Sequence, residues 1–257
     1  MDKLDMTSVI FLGTSAAAPS LDRGFSCVGI MDGEDVLLLD CGDGSIRNIT
    51  RFGVDVRKIS GIMITHFHSD HISGLTQVVE AMSMKRKQTD LNIYGPSGLK
   101  EYFSTVQKIT HVAFNKKFQI NLKELSPNQE FSISEQKIST FEMDHTISCL
   151  GYRVNSNGKI ISFTGDTQPC GSLEELGRKA DLFIHEATFL QKDLAIARPP
   201  KHSTPKDAAT AAALAKSERL VLTHVNDDYE KPEEMLAEAK GEFARVVVAY
   251  DGLKIEL

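Results

Sequence analysis

Tryptophan is missing altogether, and the four cysteines, Cys27, Cys41, Cys149 and Cys170, stand far apart with no Cys-x-x-Cys pair among them. That spacing argues against a zinc knuckle and a disulfide framework and suits a reducing compartment, the cytoplasm. Long apolar runs are lacking too: Val246-Val247-Val248-Ala249 is strand-length, far short of a membrane span. Met1-Asp2-Lys3-Leu4-Asp5 carries acids where a signal peptide requires positive charge, so no export signal is expected. Nor is there an excess of cations. The formal net charge of -6 argues mildly against a general nucleic-acid coat protein. The one concentrated basic run, Met84-Lys85-Arg86-Lys87-Gln88, reads first as a solvated loop and second as a phosphate contact. With 257 residues, 41% hydrophobic and 25% charged, the chain is long enough to bury a substantial core, and no linker, low-complexity segment or short repeat divides it. The expectation is one soluble domain over residues 1–257.

What the sequence does concentrate is imidazole. The apolar stretch Ile62-Met63-Ile64-Thr65 runs into His66-Phe67-His68-Ser69-Asp70-His71. In an extended strand end residues two apart point the same way, so His66 and His68 project together. Asp70 and His71 open a segment with helical apolar spacing, Ile72, Leu75, Val78, Val79 and Met82, which can turn both back towards the same pocket. A lone histidine at a strand end is usually a hydrogen-bonded structural residue; three with an aspartate in six positions point to a metal site with room for two ions side by side. Imidazole and carboxylate together suit zinc, manganese or iron.

The same strand-then-ligand arrangement recurs. His145 follows Phe141-Glu142-Met143-Asp144, Asp166 follows Ile160-Ile161-Ser162-Phe163-Thr164-Gly165, His185-Glu186 follows Leu182-Phe183-Ile184, and His224 follows Leu220-Val221-Leu222-Thr223. Asp166, with two oxygens, is suited to bridging two ions. Strands alternating with helices imply a layered α/β fold with these polar ends along one edge. Asp32-Gly33 signals a hairpin between strands at Cys27 to Met31 and Val36 to Leu39, and Asp251-Gly252 a second one joining Val246 to Tyr250 with Leu253 to Leu257. The turn Asp40-Cys41-Gly42-Asp43-Gly44-Ser45 either supports the metal site from behind or caps a short helix.

His66-Phe67-His68-Ser69-Asp70-His71 resembles the His-x-His-x-Asp-His signature of the metallo-β-lactamase superfamily. With Leu12-Gly13-Thr14-Ser15-Ala16-Ala17, His185-Glu186-Ala187-Thr188, His202-Ser203-Thr204 and Val248-Ala249-Tyr250-Asp251-Gly252, the likeness within it is to the ribonuclease Z branch. The resemblance implies a four-layer αββα sandwich. One metal ion would be held by His66, His68 and His145 and a second by Asp70, His71 and His224, with Asp166 bridging and zinc the leading candidate. It implies hydrolysis of a phosphodiester by water acidified between the ions, with Asp70 accepting its proton and His202, oriented by Glu186, protonating the leaving 3′ oxygen. His185 and His111 would be structural or surface residues. Precursor tRNA is the implied substrate and a cytoplasmic homodimer the implied assembly. The family's long tRNA-gripping arm, which would fall between Gly151-Tyr152 and Gly165-Asp166-Thr167, is replaced by about a dozen residues. After His224, Val225-Asn226-Asp227-Asp228-Tyr229 brings acids where the family carries serine and arginine. Arg23 and Ser26 keep part of an early substrate-contact motif. These departures leave open a small phosphodiester such as a cyclic nucleotide, or an aryl sulfate, as substrate. A catalytically dead binding protein ranks last, because Asp70, Glu186 and His202 are all retained.

Overall fold

The computed structural model describes residues 6–110, 117–226, 228–229 and 232–257; His111 lies outside them. The first sheet is built from β1 (Ser8–Gly13), β2 (Cys27–Asp32), β3 (Asp35–Leu39), β4 (Ile59–Met63), β5 (Leu91–Gly95) and β6 (Ile120–Glu124). The second takes β7 (Glu130–Ile133), β8 (Gln136–Met143), β9 (Cys149–Ser156), β10 (Lys159–Phe163), β11 (Leu182–Glu186), β12 (Leu220–Thr223) and β13 (Val246–Val248), in reverse spatial order. β14 (Lys254–Glu256) then returns to the first sheet beside β1.

Strand alternation makes this a sandwich. In β1, Val9 and Phe11 point between the sheets, where they meet Tyr152, Ile161, Phe163, Ile184 and Val221, while Ile10 and Leu12 point outward. Both faces of each sheet are therefore apolar, and each outer face needs helices over it. The helices are α1 (Ser45–Arg51), α2 (Ser69–Ile72), α3 (Leu75–Met84), α4 (Leu99–Thr110), α5 (Ser172–Gly177), α6 (Leu194–Ala197), α7 (Pro205–Ala215) and α8 (Pro232–Lys240). Ile49 of α1, Val78, Val79 and Met82 of α3 and Phe103 of α4 cover the first sheet. Leu176 of α5, the alanines of α7 and Met235 of α8 cover the second. These are the αββα layers that the resemblance implied.

Parallel pairing fixes the functional edge. β3, β4 and β5 run parallel, as do β10, β11 and β12, so the carboxyl ends of β4, β10, β11 and β12 emerge together. Open α/β sheets bind ligands outside such ends. α7 begins with a capping box: Thr204 Oγ1 accepts from Asp207 N, the Asp207 carboxylate accepts from Thr204 N, and Pro205 occupies the first turn. This fixes the turn carrying His202 and Ser203.

Two expectations are corrected. Val246 to Tyr250 and Leu253 to Leu257 do not form a hairpin: β13 extends the second sheet beside β12, and β14 pairs with β1. Asp-Gly signals a turn without naming the ladders its flanks join. Here the Asp251 carboxylate accepts from Thr14 Oγ1, Gly24 N and Asn48 Nδ2 and pins the turn between the sheets. The basic run is not wholly solvated either. Lys87 is 1% exposed and donates from Nζ to Arg57 O and Thr89 Oγ1, so it closes a loop and is not placed to meet phosphate.

Candidate metal centre

His66 and His68 leave β4 in extended conformation, while Asp70 and His71 lie in the single turn of α2. That turn is held tightly against the Asp40 loop. Cys41 N donates to His71 O and Gly74 N to Cys41 O, and a Cβ on Gly42 would fall 2.2 Å from Asp70 O, so only glycine allows the approach. His145 follows β8, Asp166 follows β10 and His224 follows β12, the last in a left-handed conformation at φ 56°.

These seven side chains converge in two sets. His66, His68, His145 and Asp166 bring four ligand atoms together; Asp70, His71, His224 and Asp166 bring another four, so Asp166 is common to both. His66 Nε2 and His145 Nε2 each lie 3.1 Å from His68 Nδ1. His71 Nε2 lies 3.2 Å from His224 Nε2, which is also 3.2 Å from Asp70 Oδ2. Asp166 Oδ2 is 3.4 Å from His71 Nε2 and 3.6 Å from His66 Nε2, and its Oδ1 is 3.4 Å from His224 Nε2.

The donors fit metal ions on three counts. Ring nitrogens face one another at separations close to the roughly 3.3 Å edge of a tetrahedron with zinc–nitrogen bonds of about 2.0–2.1 Å. Asp166 Oδ1 is buried without a hydrogen-bond partner, a costly state unless a cation meets it. Finally, four imidazoles are tied from behind: His71 Nδ1–H donates to Asp40 Oδ2 at 2.7 Å, His66 Nδ1–H to Thr65 Oγ1 at 2.9 Å, His224 Nδ1–H to Thr188 Oγ1 at 2.8 Å and His145 Nδ1–H to Lys201 O at 3.3 Å. Such ties select the tautomer that presents a bare Nε2 to a metal. Electrostatics agree. Burial pulls His66 well below the usual imidazole range, favouring its neutral form. Burial alone would raise Asp166, but His224 and His71 hold it well below the carboxylate range, keeping it anionic.

Beside the second set stands a separate pair. Glu186, 1% exposed, accepts from His202 Nδ1 and Thr167 N on Oε1, both at 2.8 Å, and from Thr188 Oγ1 at 2.7 Å and Ser203 N at 3.1 Å on Oε2. Burial alone would lower His202, but the charge and hydrogen bond of Glu186 override it and carry the imidazole up to about 9. His185, on the opposite face of β11, is fully buried against Phe183 and donates from Nδ1 to Glu186 O, a structural place. Of the early motif, Arg23 donates to Thr14 Oγ1 and Ala249 O. Thr65, Thr188 and the Lys201 carbonyl were not singled out for support, since only the folded geometry places a hydroxyl or carbonyl behind a given ring.

An open cavity of about 490 Å³ connects both groups to solvent, reaching His68, Asp70, Asp166, His202 and His224. No described helix is long and apolar enough to cross a membrane.

Known proteins share this architecture. The chain is similar to ribonuclease Z of Bacillus licheniformis, at 29% identity over 97% of this chain and 98% of that one. It is similar to the short form of human tRNase Z at 30% identity, with a TM-score of 0.84 over 96% of this chain and 98% of that one. The fold is also that of a metallo-β-lactamase-fold protein, YhfI, from Bacillus subtilis, with a TM-score of 0.86 at 22% identity over 98% of this chain and 100% of that one. Residues 36–225 match the beta-lactamase superfamily domain, and the chain belongs to that superfamily.

Proposed function

We propose that this protein is a metal-dependent phosphodiester hydrolase of the ribonuclease Z type, with the whole chain, residues 1–257, acting as one domain. The observation that carries the reading is the pair of four-atom donor sets joined by the half-orphaned Asp166 carboxylate, with the Glu186–His202 pair beside them. His66, His68 and His145 would hold one divalent ion, Asp70, His71 and His224 the other, and Asp166 both, zinc suiting this nitrogen-rich set. When bound, the ions supply Lewis acidity towards a phosphoryl oxygen and acidify water.

The chain's own residues do the rest. Asp70, whose Oδ2 lies at the second set, accepts the proton released as water attacks. His202 carries its proton on the nitrogen not engaged by Glu186 and delivers it to the leaving oxygen, a general-acid step worth roughly 10²- to 10⁴-fold. Buried Glu186 keeps that imidazole charged and fixed in rotation. The relatives named ribonuclease Z and tRNase Z support a tRNA as substrate; precursor tRNA, a homodimer and the cytoplasm complete the reading.

A second reading, turnover of a small phosphodiester, is favoured by one observation. β9 and β10 are joined by a tight turn at Asn157-Gly158 whose Asn157 and Ser156 side chains are bound to Asp32, where the family's arm would emerge. The alignment with the Bacillus licheniformis protein likewise runs to 306 positions, about fifty more than this chain has residues. The test is cleavage of a 3′-extended precursor tRNA by zinc-loaded protein, set against cyclic and aryl phosphodiesters, with Asp70→Ala as control. Cutting after the discriminator base, lost in the variant, is the expected result; turnover confined to small diesters would overturn the tRNA assignment and keep the hydrolase.

A further inference from the structure

The cavity over the metal centre has an unusual lining for a site that takes a polyanion. Besides the ligand side chains and the neutral polar Ser69, Thr188 and Asn226, it is lined by Ala16, Ala17, Ala18, Phe189 and Pro200. None of its described lining residues is lysine or arginine. A pocket that recognised a phosphodiester by backbone charge alone would surround it with cations; here, among the described lining residues, His202 is the one raised towards a positive charge, beside whatever metal ions the centre would hold. Much of the remaining surface open to the substrate is apolar.

That surface is placed with respect to the chemistry. The Phe189 ring is only partly buried, and its centroid lies 5.8 Å from that of His202 at an interplanar angle of 48°. Its backbone is fixed by a hydrogen bond from Phe189 N to Ser203 O, next to the acid itself. In the same lining the alanine loop is anchored at Ala16 N to Val225 O and at Ser15 N to Gly24 O, leaving the small Ala17 and Ala18 side chains exposed. A cavity that combines an aromatic ring beside a proton donor with exposed methyl groups accommodates a flat group.

We propose that Phe189 is the platform of a subsite for a planar ring, a nucleobase or an aryl group, carried on the leaving-oxygen side of the phosphate. The inference rests on the hydrolase reading for the place of the phosphate, and it names what that substrate carries next to it. Stacking on an aromatic side chain tolerates any flat ring, so the subsite selects for planarity more than for base identity.

The test is equilibrium binding to the zinc-loaded protein, which needs no turnover. Phenylphosphonate and adenosine 3′-monophosphate are compared with methylphosphonate by calorimetry, in wild type, Phe189→Ala and Phe189→Tyr. The ring-bearing anions bind about tenfold or more tighter than methylphosphonate, a preference that collapses in Phe189→Ala and survives in Phe189→Tyr. Either order between the two ring-bearing probes supports the subsite, adenosine first naming a nucleobase and phenyl first an aryl ester. Equal affinity of all three in wild type, or a preference untouched by Phe189→Ala, overturns it. Failure of the hydrolase reading looks different: ring preference with no cleavage of any diester.

Discussion

Asp40 stands behind the metal centre and touches no proposed substrate, so replacing it tests whether the centre is held in shape from the rear. Its carboxylate is fully buried, at φ 60°. Oδ2 accepts from His71 Nδ1 at 2.7 Å and Oδ1 from Thr65 N at 2.8 Å, while the Thr65 hydroxyl donates to it and accepts in turn from His66. One carboxylate thus orients one imidazole of each set. Asp40→Asn keeps the shape, and asparagine tolerates the left-handed backbone. A carboxamide has a single acceptor oxygen, so either His71 or Thr65 N faces its NH2 group with no acceptor, a loss of about 1–3 kcal/mol. Loss of such an outer partner lowers metal affinity by roughly 10- to 100-fold, which is about 1.4–2.7 kcal/mol and so agrees with the first figure. The assay is competition for zinc against a chromogenic chelator at fixed pH. A variant that holds both ions as tightly as wild type would refute the argument that these hydrogen bonds preorganise the ligands.

Other outcomes follow from the same geometry. His202→Ala lowers kcat by roughly 10²- to 10⁴-fold while elemental analysis finds the wild-type ion content, because His202 is assigned to the proton and not to the metal. Thr188→Val removes the hydroxyl that accepts from His224 and donates to Glu186; zinc affinity falls roughly 10- to 100-fold, and Thr188→Ser restores it in the same titration. Stripping the ions with a chelator removes about 2.7 kcal/mol for each ion present at a hundred times its Kd, about 5.4 kcal/mol for two, which for a chain of this size lowers Tm by ~10–20 °C in scanning calorimetry. Gly42→Ala forces a methyl group onto Asp70 O and destabilises the fold by about 1–3 kcal/mol, read from the denaturant midpoint with m unchanged.

How much of this was legible in the sequence depends on how local each feature is. His66, His68, Asp70 and His71 could be read because one strand end and one helical turn carry all four. His145, Asp166 and His224 were legible as repeats of a strand running into a candidate ligand residue, though their meeting depends on the pairing of the second sheet, antiparallel from β8 to β10 and parallel from β10 to β12. Lys87 looked like a surface cation because a charge run carries no record of the Arg57 carbonyl that a buried ammonium can find. The Asp251-Gly252 turn looked like a hairpin because the polar groups that pin it, Thr14, Gly24 and Asn48, are some two hundred residues away. The supporting roles of Thr65, Thr188 and Lys201 left no trace, although Thr188 stands in the His185-Glu186-Ala187-Thr188 motif: a threonine hydroxyl behind a histidine has no spacing to betray it.

The origin of the ligands has a mechanical consequence. Each donor set draws two side chains from the first sheet and two from the second: His66 and His68 face His145 and Asp166, and Asp70 and His71 face His224 and Asp166. An ion in either set would therefore act as a rivet through the sandwich, and sliding one sheet over the other would open both sets at once. Away from these sets, registry rests on the Val9–Phe11 layer and its partners and on hydrogen bonds across the sandwich, from Ser156 and Asn157 to Asp32 and from Tyr152 to Ile64 O. Ions in both sets would then stiffen the sandwich against shear between its sheets.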